Sequence, residues 1–105
     1  MKRIAILGST GSIGVNALDC ISSLGDGYKI TALAAQSNVD MLARQAREHR
    51  PGTVCIGDPA LAVKIRRLLP RGTRVTCGSE GLCEIVGRRD VDMVVFAVTG
   101  SACLM

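Results

Sequence analysis

Three glycines spaced three residues apart, Gly8, Gly11 and Gly14, are the part of this sequence best suited to chemistry. They follow the apolar residues 4–7, which are typical of a strand buried on both faces, and they open a segment with helical spacing at residues 12–24. Gly8 can take a sharp turn, Gly11 leaves room for a ligand against the backbone, and Gly14 permits close packing of helix on strand. The positive end of that helix would face an anion, so the sequence predicts a pyrophosphate-binding turn.

The context of these glycines is more informative than their spacing. The spacing is one residue wider at its start than the common G-x-G-x-x-G pattern, and a glycine triplet alone is weak evidence. Here a strand precedes it, a helix follows it, and a second strand begins about twenty residues on, as a dinucleotide-binding turn requires. The alternative is a tight strand-to-helix turn that binds nothing, and the glycines by themselves leave that alternative open.

The rest of the chain alternates between strand and helix signals. Gly25 is expected to end the first helix in a left-handed conformation, while Asn38 and Asp58 are expected to cap the second and third helices. Strands are predicted at residues 2–7, 28–35, 53–56, 73–77 and 91–98, and helices at residues 12–24, 39–50, 59–69 and 79–86. This order predicts an α/β fold with a doubly wound, mostly parallel sheet, a Rossmann-like dinucleotide-binding domain. The very apolar residues 94–98 are expected in the middle of the sheet.

Ligands of such sheets bind at the carboxyl ends of the strands, which here are residues 8–12, 36–38 and 99–102. Domains selective for NAD usually have a carboxylate after the second strand, but this chain reads Gln36-Ser37-Asn38 and has no carboxylate before Asp40. Ser37 and Asn38 can donate hydrogen bonds to a ribose 2′-phosphate, so the sequence favours NADPH over NADH. Asn38 could equally serve only as a helix cap, and both roles are compatible.

Composition restricts the remaining possibilities. The 105 residues allow one domain, 48% of them are hydrophobic and only 2% are aromatic, so the core is built from aliphatic side chains. The net charge of +4 comes from scattered arginines with few aromatics to stack on bases, which argues against a nucleic-acid partner. No apolar run approaches the roughly eighteen residues that span a bilayer, so no membrane association is expected.

The metal-binding residue types show no ligand pattern. Five cysteines without a C-x-x-C pair lie in apolar segments, so they are expected to be buried, in a cytoplasmic protein without disulfides. The single His49 is expected at the surface. Caps and turns explain the carboxylates better than a metal site does; these are Asp19, Asp26, Asp58, Glu80, Glu84, Asp90 and Asp92.

Five strings in order along the chain carry a family resemblance: Leu7-Gly-Ser-Thr-Gly-Ser-Ile-Gly14, Ala34-Ala-Gln-Ser-Asn-Val39, Pro51-x-x-Val54, Gly78-x-Glu80-Gly81-Leu82 and Asp92-x-Val94-Val95-x-Ala97-Val98-x-Gly100. They closely resemble the N-terminal NADPH-binding domain of 1-deoxy-D-xylulose 5-phosphate reductoisomerases. The resemblance implies that NADPH phosphates and ribose are contacted by Thr10, Gly11, Ser12 and Ile13, and that the adenosine side is lined by Gln36, Ser37 and Asn38. Many members carry glycine and a basic residue at positions 36 and 37, and glycine in place of Cys103.

The resemblance also implies a reaction. An enzyme of this family would rearrange 1-deoxy-D-xylulose 5-phosphate to an aldehyde and reduce that aldehyde with NADPH to 2-C-methyl-D-erythritol 4-phosphate, in non-mevalonate isoprenoid biosynthesis. Residues 1–105 would form the NADPH-binding domain, while Mg²⁺ or Mn²⁺ and the phosphorylated sugar would be held beyond the end of this chain. No catalytic or metal-binding residue is therefore assigned here, the chain alone is expected to be inactive, and the full-length family is expected to form homodimers. Alternatives are the cofactor domain of another NADP-dependent reductase and a non-catalytic nucleotide-binding module.

Overall fold

The alternation of strand and helix signals is confirmed by the structure, a computed structural model that describes residues 2–25, 27–87 and 91–97. The elements in chain order are β1 (Lys2–Leu7), α1 (Ser12–Ser23), β2 (Tyr28–Ala35), α2 (Val39–His49), β3 (Thr53–Ile56), α3 (Ala62–Leu68), β4 (Arg74–Cys77), α4 (Gly78–Val86) and β5 (Met93–Phe96). A 3-10 turn, Pro59–Leu61, precedes α3. The first three strands have the predicted bounds, because glycine, proline and polar residues delimit each of them.

The strands form one parallel sheet in the order β4-β3-β2-β1-β5. The first three crossovers step in one direction from β1 to β4, and the fourth returns to place β5 beside β1. The prediction that residues 94–98 lie mid-sheet is wrong, because β5 is the edge strand among the described residues, pairing only with β1. Its apolar composition comes from burial of its two faces, with Val94 packed against one side of the core and Val95 against the other. Val98 lies outside the described residues.

Helices cover both faces of the sheet, as the doubly wound prediction requires. On one face, Leu18 of α1, Leu42 of α2 and Ile65 of α3 belong to one hydrophobic cluster with strand residues that include Ile6 and Val54. On the other face, Ile85 of α4 belongs to a second hydrophobic cluster, whose strand residues are Leu7 and the smaller Ala5, Ala32, Ala34 and Cys55. Alternate residues of β1, β3 and β5 thus lie on opposite faces, and both faces are apolar.

The predicted helix boundaries are met by specific groups. Gly25 has a φ of +86° after α1, and the Asn38 side chain accepts a hydrogen bond of 3.3 Å from the Met41 N–H at the start of α2. Asp58 accepts from the Ala60 N–H at 3.0 Å, but it caps the 3-10 turn rather than an α-helix. The single helix predicted for residues 59–69 is therefore wrong in its first turn, since Pro59 and the Asp58 cap favour the tighter winding there.

Candidate cofactor site

The turn between β1 and α1 is fixed by backbone hydrogen bonds to β2. Gly8 has a φ of +85°, which only glycine adopts without strain. The N–H groups of Gly8 and Ser9 both donate to the Ala34 carbonyl, at 2.8 Å and 2.9 Å, and the Gly11 N–H donates to the Gly8 carbonyl at 3.2 Å. The carboxyl ends of β1 and β2 are therefore joined directly, and the two predicted groups of site residues begin at the same edge of the sheet.

Gly14 and Gly11 are glycines for different reasons. A β-carbon on Gly14 would lie 2.6 Å from the Ser9 Cα, so the close approach of α1 to the turn excludes any side chain. A β-carbon on Gly11 would meet nothing closer than the Gly8 carbonyl oxygen at 3.6 Å, and the φ of Gly11 is −76°. Neither packing nor backbone conformation therefore requires glycine at position 11, and the open space beside it leaves room for a ligand.

The start of α1 is electrostatically suited to an anion. Gly11 is the N-cap residue and supplies no side-chain hydrogen bond, and the first turn contains no acidic residue. The N–H groups of this turn have no partner within the helix, and the positive end of the helix dipole is not neutralised. Ser12 and Ile13 lie here at the surface, with Ile13 54% exposed, while Thr10 is half-buried.

The residues after β2 form the adjacent part of the site. Gln36, Ser37 and Asn38 are all exposed, and the Asn38 oxygen is engaged by the Met41 N–H. The Asn38 amide nitrogen remains available to donate to a ligand while the oxygen caps α2. The Gln36 side chain has a different environment, because it lies against Gly57, where a β-carbon would come within 2.7 Å of the Gln36 Cδ. It therefore faces β3, on the side of β2 away from the glycine turn.

The position of this edge in the sheet supports a ligand site. The chain order reverses between β1 and β5, which makes that pair the topological switch point of the fold. The glycine turn follows β1 directly, and its Gly11 lies near the end of β5, with the Ala97 oxygen 3.9 Å from the position of a Gly11 β-carbon. Residues 99–102, the third predicted part of the site, lie outside the described residues.

Two residues that the sequence analysis did not single out, Ser9 and Gln45, connect the turn to α2 on its buried side. Ser9 is fully buried, and its carbonyl accepts a hydrogen bond of 2.8 Å from the Gln45 side-chain nitrogen. Gln45 is itself buried on the inner face of α2. One signal was available in the sequence, since Gln45 occupies a helix position that faces the core between the apolar Leu42 and Ala46.

A sequence model described as 1-deoxy-D-xylulose 5-phosphate reductoisomerase matches residues 4–105 of the chain. The chain belongs to the 1-deoxy-D-xylulose 5-phosphate reductoisomerase family. Among curated members, the reductoisomerase of Chloroherpeton thalassium is 48% identical over 103 residues, which are 97% of this chain and 27% of that protein. The reductoisomerase of Trichlorobacter lovleyi is 44% identical over 107 residues, covering 100% of this chain and 27% of that protein.

Solved reductoisomerase structures share the fold. A reductoisomerase in complex with NADPH, fosmidomycin and magnesium superposes with a TM-score of 0.91 at 37% identity, over 99% of this chain and 26% of the solved chain. The enzyme of Zymomonas mobilis in complex with NADPH gives a TM-score of 0.87 at 31% identity, over 96% of this chain and 27% of the solved one. The chain thus spans about a quarter of the length of its reductoisomerase relatives.

In this member of the reductoisomerase family, two described carboxylates, Glu84 and Asp92, pair with arginines. Glu84 pairs with Arg74 at 2.6 Å, and Asp92 accepts from the Arg3 backbone N–H at 2.7 Å. The Arg3 backbone N–H, with the Arg3 guanidinium, holds the pKa of Asp92 below its usual value. Both pairs lie away from the glycine turn, and no group of three or more His, Cys, Asp or Glu in the described part of the chain could hold a metal ion. Asp26 and Asp90 lie outside the described residues.

The expectation that every cysteine is buried is wrong for this reductoisomerase-family chain. Cys55 is buried and burial raises the pKa of its thiol, and Cys77 is half-buried, but Cys20 and Cys83 are exposed. Cys20 and Cys83 are each two residues from a buried helix residue, so they lie on the opposite helix face, at the surface. Cys103 lies outside the described residues. His49, expected at the surface, is half-buried at the last residue of α2.

Proposed function

We propose that residues 1–105 are the NADPH-binding part of a 1-deoxy-D-xylulose 5-phosphate reductoisomerase. The proposal rests on the position of Gly11. The fold does not require a glycine there, and Gly11 lies at the N-terminus of α1, beside the topological switch point. Family membership and the NADPH complexes of the related solved structures support the same assignment.

In this proposal the carboxyl ends of β1 and β2 bind different parts of the cofactor. Ser12 and Ile13 present the first-turn N–H groups of α1 to the pyrophosphate, which lies against Gly11, and Thr10 contacts the phosphates or ribose from the preceding turn. Gly11 has no side chain to hold the phosphates away from the backbone. Gln36, Ser37 and Asn38 line the adenosine side, where the exposed Ser37 hydroxyl and the Asn38 amide donate to the 2′-phosphate.

The reaction we propose for the whole enzyme is the conversion of 1-deoxy-D-xylulose 5-phosphate to 2-C-methyl-D-erythritol 4-phosphate in isoprenoid biosynthesis. NADPH, when bound, supplies the hydride that reduces the aldehyde formed by rearrangement of the phosphorylated sugar. This chain contributes binding and orientation of the cofactor, while exposed Ile13 offers an apolar surface beside it. Mg²⁺ or Mn²⁺ would be held by groups outside this chain, since the described carboxylates and cysteines form no suitable cluster.

We also propose a cytoplasmic enzyme that acts as a homodimer. A reducing compartment suits the free thiols of Cys20, Cys55, Cys77 and Cys83. In the described part of the chain, every helix is too short or too polar to cross a bilayer. The homodimer is inferred from the family resemblance alone, and the size of the purified protein in solution tests it.

The experiment that tests the proposed function compares two glycine variants by NADPH titration calorimetry and thermal unfolding. Gly11→Val should weaken NADPH binding roughly ten- to a hundredfold, because the valine side chain would clash with the pyrophosphate at a cost of about 1–3 kcal/mol. Its Tm should change little. Gly14→Ala should lower Tm, because its β-carbon meets the Ser9 backbone. The control Ser22→Ala, on the exposed far end of α1, should change neither. Unchanged NADPH affinity in Gly11→Val would contradict the proposal.

A further inference from the structure

We propose that Gln45 is a positioning residue that turns the Thr10 N–H toward the cofactor, and this inference rests on the proposed NADPH site. Gln45 lies in α2, 36 residues from Ser9 in sequence, yet its side-chain nitrogen donates to the Ser9 carbonyl at 2.8 Å. Ser9 is fully buried and Gln45 is only 8% exposed, so water does not compete for this hydrogen bond.

The orientation of the Gln45 amide is determined by its partner. The Ser9 carbonyl can only accept, so the group facing it must be the NH₂ of Gln45 rather than its oxygen. Gln45 thereby holds the Ser9 carbonyl toward the core side of the turn, where α2 packs.

The geometry of the peptide bond transmits this constraint to the next residue. The peptide group that joins Ser9 and Thr10 is planar and trans, so its N–H points away from its carbonyl. With the Ser9 carbonyl held toward α2, the Thr10 N–H points to the opposite side. The neighbouring N–H groups of Gly8, Ser9 and Gly11 are already engaged within the turn or with β2. Among the described residues, the Thr10 N–H is thus left for a ligand next to the N-terminus of α1.

A purely packing role would not require glutamine. Gln45 faces the core beside Leu42 and Ala46, and its side-chain oxygen has no hydrogen-bond partner among the described residues. A buried polar atom without a partner is destabilising, and an apolar side chain of the same length would avoid that cost. The glutamine is explained by its one hydrogen bond, to the turn.

The position of Gln45 within α2 also links the two halves of the site. The same helix begins at Asn38, where the adenosine side is proposed, and Gln45 lies two turns further along its buried face. Gln45 therefore sets the position of the glycine turn relative to the adenosine site. Its loss should affect ligands that contain the pyrophosphate and spare those that contain only the adenosine end.

The test uses Gln45→Met, which keeps the length of the side chain and removes the donor. NADPH and adenosine 2′-monophosphate, which lacks the pyrophosphate, are titrated into the wild-type protein and the variant. Loss of one buried hydrogen bond should weaken NADPH binding about three- to tenfold, whereas affinity for adenosine 2′-monophosphate should change less than about twofold. In two-dimensional NMR, the Thr10 amide should show a smaller shift on NADPH addition in the variant. Arg44→Met, its exposed neighbour, should behave as wild type.

Equal NADPH affinity in Gln45→Met and wild type would overturn the inference, and so would an equal loss for both ligands, which would indicate a general role in packing α2. Gln45→Leu provides the same comparison if the methionine variant does not fold. A wild-type protein that binds neither ligand would instead contradict the proposed function, and the two failures are therefore distinguishable.

Discussion

At the scale of single residues, the candidate site depends on glycines, which have no side chain, as much as on polar side chains. The sequence predicted a separate role for each glycine, and the structure supports the turn at Gly8 and the close packing at Gly14. The bond between Gln45 and Ser9 was not predicted, because a contact across 36 residues depends on how α2 packs against the turn. Local sequence could only indicate that a polar residue lies on a buried helix face.

Asn38 allows its two roles to be separated by one substitution. Asn38→Asp should change the free energy of unfolding by less than about 0.5 kcal/mol, because asparagine and aspartate are equivalent N-caps. The new negative charge would repel the 2′-phosphate, so NADPH affinity should fall about five- to tenfold while NADH affinity changes little. Calorimetric titration of both cofactors checks this.

The matched control for Asn38→Asp is Ser22→Asp, which adds the same charge at an exposed position far along α1. It should leave both affinities unchanged. If Asn38→Asp weakened NADPH and NADH equally, Asn38 would be a helix cap without contact to the 2′-phosphate.

At the scale of secondary structure, local signals were sufficient where glycine and proline delimit the elements. The bounds of β1, β2 and β3 follow the predictions, and the buried face of α2 contains apolar residues at helical spacing, Val39, Leu42, Ala43 and Ala46. The place of β5 could not be read from its apolar residues, because burial on both faces looks the same in an edge strand and a central one. Only the order of strand pairing distinguishes the two, and that order depends on contacts distant in sequence.

The start of β5 is held by Asp92, which gives a testable dependence of stability on pH. Asp92 accepts hydrogen bonds from the Arg3 backbone N–H and guanidinium, and these lower its pKa below the usual 3.8. The unfolded carboxylate therefore binds a proton at a higher pH than the folded one does. This contribution to stability is present above about pH 4 and is lost as the pH falls through the folded pKa.

Thermal unfolding of Asp92→Asn across the acid range measures that contribution. The variant should have a lower Tm than wild type at pH 7, and the difference should shrink as the pH falls below about 4. Asp19→Asn, an exposed carboxylate in α1, serves as the control and should follow the wild-type profile. A Tm difference that stayed constant down to the most acid pH would indicate that the Asp92 charge does not stabilise the β1–β5 pair.

At the scale of the whole molecule, sheet topology brings two local motifs to the same edge of the sheet. The glycine turn and residues 36–38 are far apart in sequence but follow adjacent parallel strands, and the chain order reverses beside β1, where ligands of such sheets bind. This placement could be predicted from the alternation of strands and helices. The reaction was predicted from the family resemblance alone, because the described residues contain no group of three or more His, Cys, Asp or Glu that could hold a metal ion.

The purified 105-residue chain should therefore bind NADPH without turning it over. With 1-deoxy-D-xylulose 5-phosphate and Mg²⁺ or Mn²⁺ present, the absorbance of the reduced nicotinamide of NADPH should stay constant. Addition of the same chain fused to the downstream region of a family relative, as a positive control, should oxidise the cofactor. Turnover by the 105-residue chain alone would show that its own carboxylates or cysteines are sufficient for catalysis.

The central claim is that the carboxyl ends of β1 and β2 form an NADPH site, and the ratio of the dissociation constants for NADH and NADPH tests it most directly. No carboxylate occupies residues 36–38, and the exposed Ser37 and Asn38 can donate to the 2′-phosphate. Charge-assisted hydrogen bonds contribute about 1.5–3 kcal/mol, so NADPH should bind roughly ten- to a hundredfold more tightly than NADH. Equal affinities, or a preference for NADH, would contradict the claim.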